Sequence, residues 1–264
     1  MKQPTRGVDA LRNLLDEYET CEACPALCAA RTAPVFGDGT ASGPILVVGG
    51  APGEEEDATG IPFWGSSGRL MMELFRLAWP DRAAIEVLDE LWDHGPSSLN
   101  TEYWEELRDY LNQFVFWTNI VLCRAEADDS DRRKRIRPPS KGEIKACRDR
   151  LLRTIYAVDP LLIIATGKQA ASALVGKSVH ITKTNGRYYD LPFPSPVTGD
   201  PVRYTVLTLI GPAYLKQRGE SPRLMEEGRG ATYDTFIRLQ EALEIVDLAG
   251  AMQGQGPLLE EDTA

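Results

Sequence analysis

Four short runs of β-branched and aliphatic residues constrain this chain more than any other feature. They occupy positions 44–49, 115–121, 161–166 and 204–210. Each is almost continuously apolar instead of alternating, which is the pattern of strands covered on both faces. Amphipathic helical spacing fills the gaps over 8–19, 67–79, 102–114, 141–158, 168–175 and 232–248. Strands alternating with helices predict a three-layer α/β/α sandwich around a four-stranded, mostly parallel sheet. Open sheets of this kind bind ligands at the carboxyl ends of their strands. Three such ends stand out: positions 49–53, Thr118 with Asn119, and 211–214.

Size and charge narrow the function classes. At 264 residues the chain suits one large domain. We expect that domain to span 1–249, with an acidic helical insert around 80–112 and a disordered acidic tail over 250–264. No apolar run is long enough to cross a bilayer, and no apolar stretch follows Met1. A cytoplasmic, membrane-independent and monomeric protein is expected. The net charge of −10 argues against a uniformly basic nucleic-acid binder. Acids are concentrated, however: nine against two arginines over 81–109, and six with no Lys or Arg over 241–264. The remainder is slightly basic and contains the run 131–137, with five basic residues and one acid. A phosphate-binding face is therefore compatible with the low pI. A solvated charged loop is the simpler reading of charge alone.

The five cysteines are Cys21, Cys24, Cys28, Cys123 and Cys147. Without an export signal they suggest ligation or free thiols before disulfides. A C-x-x-C pair with two distant cysteines supplies four thiolates, which suit either a structural zinc or an iron–sulfur cluster. Spacing does not choose between them, and Cys28 reads as a buried free thiol.

Taken together, several stretches carry a specific resemblance. Cys21 and Cys24 are followed by 31–37, then by Gly49-Gly50-Ala51-Pro52-Gly53-Glu54-Glu55-Glu56-Asp57 and Gly60-Ile61-Pro62-Phe63-Trp64-Gly65. Thr118 to Cys123, Glu143 to Arg148 and Gly211 to Leu215 complete the series in order. This resembles the family 4, iron–sulfur uracil-DNA glycosylases across roughly 20–248. Their pattern runs C-x-x-C, R-T-x-x-V-F-G, G-E-A-P-G-E-E-E-D, G-x-P-F-x-G, T-N-x-x-x-C, E-x-x-x-C-R and H-P-A-Y-L. The resemblance implies a 4Fe-4S cluster on Cys21, Cys24, Cys123 and Cys147. It also implies that Phe63 stacks on an extruded base, that Asn119 reads the base edge, and that Leu215 probes the duplex where the base has left. Extrusion, stacking and edge reading are what chemistry on a base in DNA requires.

Two departures bear on activity. Gly50 stands where the family has Glu, and Gly211 where it has the His of H-P-A-Y-L. Neither His94 nor His180 replaces the latter. Loss of both side chains predicts little excision of plain uracil and room beside Gly50, Ala51 and Gly211 for a larger base. The expected function is excision of a modified, bulky, phage-type pyrimidine, in DNA repair or antiphage defence. Glu56, then Asp57, are the candidates for stabilising charge, beside Asn119. The alternative is a protein that binds DNA without cleaving it. Contacts to DNA are expected from Arg133, Lys134, Arg135, Arg137, Lys183 and Arg187. The 133–140 stretch is also similar to the K-R-R-I-H loop of the uracil-crosslinking UDGX relatives. Arg137 or a neighbour stands at the reactive histidine's place, so crosslinking is not expected.

Overall fold

A computed structural model describes residues 6–91, 101–126, 136–219, 228–248 and 250. The chain opens with helices α1 (Val8–Glu19) and α2 (Pro25–Ala30), then the two-residue strand β1 (Asp38–Gly39) and β2 (Ile45–Gly49). Next come α3 (Glu54–Thr59), α4 (Ser66–Ala78), α5 (Arg82–Leu91), α6 (Thr101–Leu111) and β3 (Val115–Asn119). After α7 (Lys141–Val158) follow β4 (Leu162–Thr166), α8 (Gly167–Val175), α9 (Ile181–Thr184), β5 (Arg187–Pro194) and β6 (Pro201–Leu209). Helices α10 (Pro212–Gln217) and α11 (Gly230–Leu248) close the described chain.

The sheet has the order β1-β3-β2-β4-β6-β5. Its four inner strands, β3, β2, β4 and β6, pair in parallel and coincide with the four apolar runs. Ile45, Val47, Val48, Ile163, Ile164 and Val206 are each fully buried. Full burial of such a side chain is worth about 1.5–3 kcal/mol, so these strands anchor the core. Two edge strands extend the expected four: β1 runs antiparallel to β3, and β5 antiparallel to β6.

The segment expected as an acidic insert contains α5 and α6, while residues 92–100 lie outside the described residues, as do 251–264 of the expected tail. Arg76 on α4 ties α5 down, donating to Glu73 at 2.8 and 2.7 Å and to Asp89 at 2.8 Å. Trp79 Nε1 donates to Tyr110 at 3.0 Å, joining α4 to α6. Among the described residues, no helix is long and apolar enough to cross a membrane.

Candidate active site and thiol centre

The parallel registers bring the carboxyl ends of the inner strands to one level. Gly49 pairs with Asn119, Val48 with Ala165, and Thr166 with Leu209. A cavity of about 790 Å³ opens there, within the usual range for small-molecule sites. Gly49, Gly50, Ala51, Phe63 and Asn119 all line it, and so does Gly211.

Phe63 and Asn119 converge above Gly49. A Cβ on Gly49 would stand 2.9 Å from Phe63 Cζ and would collide with Asn119 Oδ1, so glycine is what permits their close approach. Phe63 holds a left-handed backbone, φ 59°, unusual for an aromatic residue and costing on the order of 1–3 kcal/mol. Its ring packs on Trp117 with centroids 5.4 Å apart. Asn119 is 4% exposed, yet among the described residues its side-chain amide has no hydrogen-bond partner. A buried primary amide facing a cavity offers donors and an acceptor to a ligand edge.

The described cations near the cavity differ in availability. Arg137 lines it, but donates to both Glu143 oxygens at 2.9 and 2.7 Å. That pair is the main reason the Glu143 carboxyl is held down to about 2. Lys183, two residues after the cavity-lining Ile181, is exposed, as is Arg187 at the start of β5, which rests 5.2 Å over the Tyr189 ring. Arg133, Lys134 and Arg135 lie outside the described residues.

The thiols gather behind this floor. Arg31 donates to Cys123 Sγ at 2.7 Å and to the Cys21 carbonyl at 2.5 Å, bridging the N-terminal pair to the segment after β3. Burial pushes the Cys123 thiol up to about 11, against the opposing pull of Arg31. Burial also raises Cys24, reinforced by Cys147, Glu143, Cys21 and Cys28. Cys147 and Cys28 act on both Cys24 and Cys123, so the N-terminal thiols, Cys123 and Cys147 face one region. Among the described residues, no three His, Cys, Asp or Glu groups are drawn together as ligands of a single ion. Cys21, Cys24, Cys123 and Cys147 are all free thiols, the donor type that an iron–sulfur cluster takes. Nε of the fully buried Arg150, on α7 beside Cys147, has no hydrogen-bond partner. A buried cation of this kind calls for negative charge nearby, which bound thiolates provide. The donor set thus fits an iron–sulfur group.

The family profile described as "Uracil DNA glycosylase superfamily" matches residues 36–228. The chain belongs to the uracil DNA glycosylase superfamily. It is 34% identical over 176 residues to a type-4 uracil-DNA glycosylase of Thermotoga maritima, covering 66% of this chain and 71% of that one. A type-4 uracil-DNA glycosylase of Saccharolobus solfataricus is 29% identical over 186 residues, covering 69% and 68%. One from Archaeoglobus fulgidus is 26% identical over 188 residues, covering 70% and 75%.

Within this superfamily member the two pocket glycines have different surroundings. A Cβ on Gly50 would meet only Gln169 Cβ, at 3.8 Å, so position 50 borders open cavity. A Cβ on Gly211 would stand 3.0 Å from Gly167 Cα and 3.2 Å from its nitrogen. Gly211 thus lines the cavity while its backbone packs against the turn into α8. Backbone yields less readily than a side chain, so Gly211→His should lower stability by about 1–3 kcal/mol, as overpacking does. A lowered thermal midpoint checks this.

Three expectations change. Asp57 is not among the cavity-lining residues; it is 5% exposed and accepts from the Thr32 amide at 3.0 Å and from Arg124 at 3.3 Å. Its carboxylate braces the loop beside Cys123 and is taken out of the chemistry. Leu215 is fully buried instead of sitting on a duplex-probing loop. Helix α10 buries Pro212 and Leu215, three apart, and leaves Ala213, Lys216 and Gln217 outside. Glu56 does line the cavity, yet it accepts from the Gly53 amide at 2.9 Å and the Gly65 amide at 3.1 Å. It fastens the β2–α3 loop to the start of α4.

The sequence reading passed over the carboxyl end of β4. Thr166, Gly167, Lys168 and Gln169 all line the cavity. Thr166 Oγ1 donates to the Val48 carbonyl at 3.2 Å and does not cap α8, leaving that helix's first-turn amides uncapped by it. The signal was the strand-end rule itself, applied to three ends of four.

Proposed function

We propose that this protein is a DNA glycosylase that extrudes a substituted pyrimidine into the strand-end cavity and cleaves its N-glycosidic bond, leaving an abasic site. The carrying observation is the open space at Gly50, next to an aromatic ring and a free buried amide. Phe63 would stack on the base, an interaction worth about 1–3 kcal/mol. Asn119 would pair with its edge and stabilise charge developing on the departing ring. The exposed Lys168, at the cavity wall, adds a positive field in the same sense. Cleavage through a dissociative, oxocarbenium-like path needs such stabilisation and a positioned water more than a strong nucleophile. Glu56 contributes by holding the two loops that flank Phe63 and by its negative charge near the sugar. The superfamily's relatives named above support a DNA substrate. The 133–137 run, with Lys183 and Arg187, would meet the phosphates. Repair and antiphage defence both suit such an activity.

Cys21, Cys24, Cys123 and Cys147 would hold a 4Fe-4S cluster. When bound, it would cross-link the N-terminal segment, the segment after β3 and α7. Cys28 Sγ lies 3.5 Å from the Cys21 carbonyl, as a donor rather than a fifth ligand. Cys28→Ser should therefore keep full iron content and brown colour, as measured on anaerobically purified protein.

A second reading, DNA binding without cleavage, is favoured by the engagement of Glu56 and Asp57 in structural hydrogen bonds. Incubation with duplex and single-stranded DNA carrying uracil, hydroxymethylated or glucosylated pyrimidines, followed by abasic-site detection, separates the two. Abasic sites at a substituted pyrimidine are expected. An intact panel under single-turnover conditions leaves the binding protein.

A further inference from the structure

Arg150 lies on α7, three residues after Cys147, and is fully buried. Its guanidinium donates to Thr118 Oγ1 at 3.1 Å and to the Asn119 carbonyl at 2.6 Å. Thr118 Oγ1 in turn donates to the Phe36 carbonyl at 2.7 Å, so the network fixes the last two residues of β3. Cys147 lies one turn before Arg150 on the same buried stripe of α7, and Cys123 follows Asn119 by four residues. Among the described residues no carboxylate forms an ion pair with Arg150, whose charge burial opposes. A guanidinium in that position stays charged and needs a counter-charge to be tolerated.

We infer that Arg150 is a positioning residue: it clamps the end of β3 that presents Asn119, and it takes its counter-charge from the thiolates of Cys123 and Cys147. One side chain then joins the thiol centre to the base-reading amide. The planar guanidinium spans two acceptors at a fixed separation, which a lysine ammonium on a flexible stem does not reproduce. The clamp rests on the glycosylase reading; the counter-charge stands apart from it.

The test uses holo protein purified anaerobically, as wild type and as Arg150→Lys, Arg150→Gln and Arg150→Met. Iron content, the cluster's midpoint potential, DNA affinity and the single-turnover excision rate are measured on each. Arg150→Lys should keep its iron and bind DNA within about twofold of wild type, while its excision rate falls on the order of 10²-fold, the cost of misplacing a reacting group. Both neutral variants should show a lower midpoint potential, because removing a neighbouring cation disfavours the added electron. Two neutral variants are used so that a failure of one to fold still leaves the measurement. An unchanged potential, or wild-type protein without iron, overturns the counter-charge. An unchanged excision rate in Arg150→Lys overturns the clamp. Wild-type protein that excises no base overturns the glycosylase reading and the clamp with it, and the potential still reads the charge.

Discussion

Asn119→Ala should reduce single-turnover excision by about 10²–10³-fold, the usual loss when a preorganised donor to developing charge is removed. The side chain sits at the last position of β3, in register with Gly49, and is 4% exposed with a free amide. Its pose is set by the strand, so alanine removes the edge contact without loosening the backbone. DNA affinity, which rests mostly on phosphate contacts, should change little. Rapid-quench kinetics beside equilibrium binding separates the two effects. A variant that loses affinity but keeps its rate would mean that Asn119 serves the fold or the groove instead of the base.

The next largest effect is expected at the thiol centre. Cys147→Ala would remove one proposed ligand and the thiol one turn before Arg150 on α7. Leaving a buried charge unpaired costs about 3–5 kcal/mol, a large share of a domain's net stability. The variant should be colourless, depleted in iron and shifted to a markedly lower unfolding midpoint. Iron analysis and thermal unfolding, run beside Cys28→Ser, check this. Retention of full iron by Cys147→Ala would remove it from the ligand set.

The inner sheet was legible because strands buried on both faces are apolar, and 45–49, 115–119, 162–166 and the buried end of β6, 206–209, supply those runs. Helices Val8–Glu19 and Lys141–Val158 were legible to the residue from their spacing. The edge strands were not. Asp38–Gly39 is too short to carry a pattern, and Arg187–Pro194 is mostly exposed, with two prolines that only an edge tolerates. Phe63 and Asn119 line the cavity at a strand end, a place that strand-end topology and motif both indicate. The packing of Gly211 on Gly167 and the burial of Leu215 were not legible, because motif identity says nothing of what a backbone packs against. Arg150, in Cys147-Arg148-Asp149-Arg150, was not singled out. Its place on the buried stripe of Cys147, Leu151, Thr154 and Ile155 was readable from helical period alone.

The space at Gly50 carries the specificity claim, and a paired measurement tests it most directly. Wild type and Gly50→Glu are compared in single-turnover excision of uracil and of a glucosylated hydroxymethylpyrimidine from otherwise identical duplexes. Pocket bulk of this size typically shifts discrimination by about 10–200-fold. Wild type should favour the large base, and Gly50→Glu should move the ratio toward uracil by at least about tenfold. A wild-type preference for uracil, with a ratio that Gly50→Glu leaves unchanged, would contradict it.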